Sequence, residues 1–376
     1  MPVHGGQGTE NTVKEKKYLL HIEAIRILAI FFVIFNHTAE RGFFLFAMYP
    51  NTDIQYWIYM GISVFCKFSV PMFLMISGAL LVDKDESIKR VWSQRIFRIF
   101  LALLLFSFIS YLQTSYQTDK KIDVGEFLKG LYGSDWNFSY WYLYLYIAFL
   151  IALPFLRVLC RNLQRVHYYY MIGIALVING LLPIVQYLLW KGSYSVNSRV
   201  IPEWLISDIV LYPCIGYFLE HVNKKDGSTY SRSCIMKLWA VTVVCIGICC
   251  VMTNYKVMVT GVCNEGESQT FFASFVLMIC ITVYVTFQKL FSERQLSGRI
   301  KKIIISLGRN SFGIYLVHVI IMKFHEYELF QVIDVLREKV HINYLLSTLL
   351  YVFLILMIGY AVSLLLKKIP FLTKLL

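Results

Sequence analysis

The sequence predicts an all-α membrane protein: a polytopic bundle of about ten transmembrane helices with both termini in the cytoplasm. Three observations predict it. Of 376 residues, 58% are hydrophobic and only 16% charged, with a mean hydropathy of +0.60, whereas an ordinary soluble domain is about a quarter charged. Apolar runs of roughly 20 residues, the length that crosses a bilayer, recur from end to end. With the N-terminus placed inside, the cytoplasmic segments hold 24 Lys and Arg and the outer segments 10, the asymmetry of the positive-inside rule. Topology therefore accounts for the net charge of +13, and no nucleic-acid partner is needed.

Residues 1–17, MPVHGGQGTENTVKEKK, are polar and basic, without a short apolar core before a small-residue cleavage site. They read as a disordered cytoplasmic tail rather than a signal peptide. Ten helices are then expected at about 18–40, 55–82, 96–116, 140–160, 167–190, 205–221, 235–253, 270–290, 303–325 and 343–366. The first carries Glu23, Arg26 and His37 in an otherwise apolar run. The second contains Pro71 and Gly78 and is expected to kink or break, since proline removes a backbone donor and neighbouring helices can satisfy the freed carbonyl. Arg95 and Arg98 flank the cytoplasmic start of the third. The fourth opens on Trp141, Tyr142, Tyr144 and Tyr146; an interfacial aromatic belt is the default for such residues, although sugars also stack on aromatic faces. The next four are plain apolar runs. The ninth carries Ser311, Tyr315 and His318 at helical spacing, on one face.

Between these runs, QTDKKIDVGEFLKGLYGSDWNFS reads as a polar outer loop able to meet a polar partner, and TNYKVMVTGVCNEGESQ as a second irregular one. EYELFQVIDVLREKVHIN places Leu329, Val332, Ile333 and Leu336 at helical spacing and is expected to lie in the outer interface as an amphipathic helix. No polar stretch is long enough to make a second domain. The nine cysteines contain no CxxC pair and lie mostly in or beside apolar runs, which argues against a disulfide framework or a zinc site and for small core residues. Lys67, in mid-span, requires a polar neighbour that the sequence does not name.

The first helix poses the chemical question. Arg26 and His37 are eleven residues apart, three turns plus about 20°, so they share a face about 16 Å long. Glu23 lies one turn from Arg26, at pairing distance, and Glu40 lies one turn beyond His37. A snorkelling arginine and an interfacial histidine would be the bland account. A same-face pair across half the membrane points instead to a polar passage through the protein interior.

The stretch IEAIRILAIFFVIFNH resembles the first-helix signature of the acyltransferase-3 family, integral membrane acyltransferases of cell-surface glycans: an acidic residue, Arg three later, then ten residues and His. Glu23, Arg26 and His37 fit it, with Glu where Asp is commoner. VPMFLMISGALL is similar to the family's second-helix stretch, through Ser77 and Gly78. QRIFRI matches its Arg-x-x-Arg as Arg95 and Arg98, and SYWYLYLYIAFLIALPFLR its aromatic fourth helix, through Trp141 and Leu143. LGRNSFGIYLVHVII resembles its late motif through Gly308, Ser311, Tyr315 and His318, and the closing LKKIPFLTKLL is also family-like. The resemblance covers the whole chain, with 18–370 as the family domain and 371–376 as a cytoplasmic end. It implies the stand-alone form, without a fused extracytoplasmic hydrolase-like domain.

The resemblance implies an acyl-CoA-dependent O-acyltransferase, in the first place an O-acetyltransferase, in a bacterial cytoplasmic membrane. It would use acetyl-CoA or another short acyl-CoA and no metal. Its acceptor would be a cell-surface polysaccharide or a lipid-linked glycan precursor. In such a reaction a neutral imidazole, with an ordinary pKa near 6.5, suits the base that takes the hydroxyl proton. The family casts His37 in that role, and a transient acyl-His is a second route; Glu40 is a candidate to orient the ring. Glu23 would offset the charge of Arg26, and Arg26 would hold the donor along its channel. Arg95 and Arg98, near the cytoplasmic mouth, would grip its phosphates, although topology alone also asks for basic residues there. Ser311, Tyr315, His318 and Trp141 would shape the pore or meet a substrate; an interhelical hydrogen-bond network is the alternative for the first three. A glycan or lipid transporter is the rival reading, and a non-catalytic sensor or scaffold leaves the polar face of the first helix unexplained. The sequence leaves open the oligomeric state, the acyl group and the acceptor.

Overall fold

A computed structural model of the chain describes residues 19–133, 136–223, 230–262, 269–293, 296–324, 333–335, 337–339 and 343–376. The N-terminal tail, Cys263 with its loop and most of the expected amphipathic helix at 326–343 lie outside the described residues.

The first helix, α1, is Leu20–Asn36, shorter than the expected 18–40. It stops because Thr38 competes for the backbone: its hydroxyl donates to the Phe35 carbonyl at 2.7 Å and accepts from the Phe43 N–H at 3.1 Å. The chain then turns through Ala39, with φ of 46°, into short turns at Ala39–Arg41 and Leu45–Met48. His37 is the last residue of the helix end, its N–H on the Ile34 carbonyl at 3.0 Å.

The second apolar run is broken, as Pro71 foretold, into α2 (Ile54–Cys66) and α3 (Ser69–Leu81). Proline has no N–H to return to the Lys67 carbonyl one turn back. Asn36 bridges the gap, its Nδ2 donating to the Cys66 carbonyl at 3.3 Å and to Ser69 Oγ at 3.0 Å. Gly78 plays a different part from the expected kink. A Cβ there would lie 2.0 Å from the Pro213 carbonyl oxygen, and one on Gly216 1.8 Å from that of Met75. The two glycines let α3 and a later helix meet backbone to backbone.

The main helices that follow are α4 (Ile88–Gln117), α5 (Val124–Gly133), α6 (Trp141–Asn162), α7 (Arg165–Trp190), α8 (Asp208–Tyr217, the partner of α3, continuing through Phe218–Val222), α9 (Arg232–Thr260), α10 (Val276–Glu293), α11 (Gly298–Phe324), α12 (Tyr344–Leu366) and a short α13 (Pro370–Leu375), with short turns at Ser198–Val200 and Glu203–Ile206 between α7 and α8. Helix α5 occupies the stretch expected to be a polar loop. Its glycine spacing serves packing: Gly130 receives the Trp136 ring, whose Nε1 donates to the Phe127 carbonyl at 2.9 Å.

All ten expected apolar runs are helical, and no strand occurs among the described residues. Seven helices there are long and apolar enough to cross a membrane, fewer than the expected ten. Helix α1 is cut short at Thr38, α8 has only ten residues before its turns widen, and α10 has 18, with a 17-residue apolar stretch. Helix α1 lies at the centre, packed against α3, α10, α11 and α12. Helices α7 and α9 form the perimeter: 22% and 17% of their apolar windows are buried, against 61% in α2–α3. The eight described cysteines are free, all but Cys234 buried.

Candidate functional site

Helix α1 is apolar enough to be buried, so its charges must be satisfied inside the bundle. Glu23 is buried, with Oε1 and Oε2 at 2.9 and 3.1 Å from Nη1 of Arg26. Gly308 of α11 makes this possible: a Cβ there would come within 2.5 Å of Glu23 Oε2 and 2.7 Å of its carbonyl oxygen. The late glycine motif thus gives α11 close access to the carboxylate that orients Arg26.

Arg26 opens into a cavity of about 470 Å³, lined also by Arg98, Arg309, Lys367 and Lys374, with Ser77, Ser311 and Thr373 among its hydroxyls. Five cationic side chains face this space, and no Asp or Glu is among its described lining residues. The effect reaches Lys367 at the end of α12. Burial, and then the neighbouring Arg309 and Arg98 guanidiniums, push its ammonium pKa below the usual lysine value. Such a set of charges suits a multiply charged anion.

Arg95, expected beside Arg98 as a phosphate ligand, is not in this wall. Its Nε and Nη2 bind the Glu86 carboxylate at 2.8 and 2.6 Å, and Glu86 also receives Arg157 Nη2 at 2.9 Å. The wide turn Val91–Ile96 carries Arg95 toward the connection that precedes α4.

His37, at the far end of α1, opens into a second and larger cavity of about 1110 Å³. Its wall combines four amides (Asn36, Asn179, Gln186, Gln269), the acid Asp208, the cation Lys67, and the aromatic rings of Phe43, Phe138, Trp141 and Tyr212. Asn179 belongs to the wide turn Leu176–Leu181 of α7, and such turns are frequent at functional sites. Mixed amide and aromatic walls suit a polyhydroxylated ligand, whose hydroxyls need hydrogen bonds and whose ring faces need flat apolar contact.

The His37 ring stands edge-on to Phe138 at 4.8 Å and 5.3 Å from the His318 ring. His318 is fully buried. Its Nδ1 lies 2.6 Å from the Tyr315 carbonyl and so carries the proton, since that oxygen only accepts. The remaining Nε2 is a buried acceptor with no hydrogen-bond partner among the described residues. Glu40 lies exposed on the turn after α1 and makes no hydrogen bond to His37.

Tyr142 and Tyr315 line both cavities, their rings edge-on with centroids 5.7 Å apart. Tyr315 is anchored by its hydroxyl on the Ser139 carbonyl. The expected passage beside α1 is therefore two compartments divided by this pair, Arg26 opening to one and His37 to the other. Of the expected polar stripe on α11, Ser311 lines the cationic cavity, Tyr315 the divide, and His318 packs behind His37. Trp141 lines the larger cavity.

Sequence reasoning missed Arg309, Lys367 and Lys374 in the first cavity and Asp208, Asn179 and Gln269 in the second. Arg309 and the two lysines do lie inside the quoted late and closing motifs, but nothing local distinguishes them from residues that merely flank a membrane helix. Lys67 finds its polar neighbour in Gln269, through a hydrogen bond from Nζ to Oε1.

Among known proteins, a family profile described as an acyltransferase domain matches residues 19–368. No curated protein and no solved structure matches the chain.

Proposed function

The chain belongs to the acyltransferase-3 family, and from that premise we propose that it is a membrane O-acyltransferase, acetyl-CoA or another short acyl-CoA being the donor. The acceptor is a hydroxyl of a cell-surface polysaccharide or of its lipid-linked precursor, and the membrane is a bacterial cytoplasmic one. One observation carries this reading: a compartment lined by five cations and a compartment holding an imidazole abut at a single pair of tyrosines. The positive-inside asymmetry supports a cytoplasmic position for the cationic compartment, on the side where acyl-CoA is made.

In this reading Arg26, Arg98, Arg309, Lys367 and Lys374 hold the nucleotide phosphates by charge-assisted hydrogen bonds. Glu23 keeps Arg26 in place. The pantetheine arm passes between Tyr142 and Tyr315 and delivers the thioester to His37. The glycan lies in the larger compartment, against Trp141 and the amides. His37 takes the proton of the attacking hydroxyl, the oxygen bonds the thioester carbon, and the C–S bond breaks. The departing thiolate recovers the proton from His37. His318 gives a fixed acceptor beside the base.

The test uses the purified full chain, radiolabelled acetyl-CoA and surface glycan as acceptor. Wild type is expected to transfer label and His37→Ala to lose that transfer while eluting as a folded protein. Equal transfer by both removes His37 from the chemistry. Glycan movement across vesicles with no acylation makes the protein a transporter.

A further inference from the structure

Lys67 sits at the break between α2 and α3, within an apolar span where a charge is costly unless it serves something. It does not snorkel away. Its ammonium donates to Gln269 Oε1 and lies 4.6 Å from the centroid of the Phe43 ring, so it is held in the wall of the same cavity that His37 enters. The residue next to His37 fixes the relation between the two. Asn36 binds the Cys66 carbonyl and the Ser69 hydroxyl, on either side of Lys67. No other Lys or Arg is among the described residues lining that cavity.

From this geometry we propose that Lys67 is a catalytic residue, the donor that stabilises the oxyanion formed during acyl transfer. The inference rests on the acyl-transfer reading above and adds to it. When the acceptor hydroxyl oxygen bonds the thioester carbon, its proton passes to His37 and the carbonyl π pair moves onto oxygen. The Lys67 ammonium then holds that negative charge without giving up a proton. As the pair returns to re-form C=O, the C–S bond breaks and the thiolate takes the proton back from His37. A cation placed where charge develops acts on the transition state more than on the bound substrates. The break in the helix has a reason here: an unbroken helix would leave neither the gap that Asn36 fills nor this cation in the wall of the cavity that the imidazole enters.

The experiment measures kcat and KM of the full chain for acetyl-CoA and for the glycan acceptor in wild type, Lys67→Met and Lys67→Arg. Binding of desulfo-CoA serves as the check of folding. Lys67→Met, which keeps length but not charge, is expected to lower kcat roughly a hundredfold or more. Both KM values and desulfo-CoA binding should stay within about threefold, and Lys67→Arg should recover part of the rate. Wild-type kcat in Lys67→Met, or a change confined to the acceptor KM, overturns the inference while leaving the acyltransferase reading intact. Should Lys67→Met fail to bind desulfo-CoA, Lys67→Arg decides, since a rate with arginine no better than a thousandth of wild type also overturns it. No transfer by wild type overturns both.

Discussion

Gly308 and Glu23 show how much of this site is set by single atoms. The carboxylate is buried only because α11 presents hydrogen where another residue would present a methyl group, 2.5 Å from Oε2. Gly308→Ala is therefore expected to displace Glu23, loosen Arg26 and cost about 1–3 kcal/mol of stability. Acyl-CoA binding measured calorimetrically should weaken about tenfold or more, and an unchanged Kd would show that Arg26 needs no such support. The two arginines of the cytoplasmic motif should part company. Arg98→Ala removes a cation from the cavity wall and should raise the acyl-CoA KM about tenfold or more, the worth of a charged hydrogen bond. Arg95→Ala should leave that KM near wild type and lower thermal stability instead, because its partner is Glu86. Identical KM effects from both would contradict their separation.

At the scale of elements, α3 and α8 meet backbone to backbone. Gly78 and Gly216 bring carbonyls to 2.0 and 1.8 Å from the places their Cβ atoms would occupy, and backbone cannot swing aside as a side chain can. Gly216→Ala and Gly78→Ala are each expected to push the helices apart and lower the melting temperature, at a cost of about 1–3 kcal/mol or more. A melt within about a degree of wild type for either would mean the helices separate freely. Helix α6 contributes Tyr142 to the divide and α11 contributes Tyr315. Tyr142→Ala should join the two compartments, so acyl-CoA hydrolysis by water is expected to rise while transfer to glycan falls, both read from thiol release and label incorporation. Unchanged hydrolysis would show that the ring is no barrier.

At the scale of the whole molecule, one carboxylate ties three helices at one end of the bundle. Glu86, in the connection from α3 to α4, receives Arg95 of α4 and Arg157 of α6, while Arg157 also donates to the Leu81 carbonyl at the end of α3. Hydrogen bonds from Arg95 above all, and from Arg157, hold its carboxyl pKa down to about 2. A folded value below the unfolded one, about 4.3, means that this contribution is complete above that value. It is lost as pH falls from there toward 2. Glu86→Gln is expected to cost about 1–3 kcal/mol at neutral pH and to lose less stability than wild type as pH falls from about 5 to 3. Parallel decline in melts of both proteins would assign the acid sensitivity elsewhere.

Helix formation and membrane residence were legible along the chain because they depend on neighbours a few residues away. An apolar run must close its own hydrogen bonds in lipid, and eleven residues bring Arg26 and His37 to one face whatever surrounds them. The end of α1 was misjudged by a few residues, since a single hydroxyl at Thr38 outbid the helix. The chemistry of the interior was decided by residues distant in the chain: Lys67 with Gln269, Glu23 with Gly308, Tyr142 with Tyr315, and Arg309 beside Lys367. No periodicity encodes which of several flanking basic residues turns inward, as the diversion of Arg95 to Glu86 shows. Packing in three dimensions chooses those partners, because burying a charge is tolerable only where another helix supplies what water no longer can.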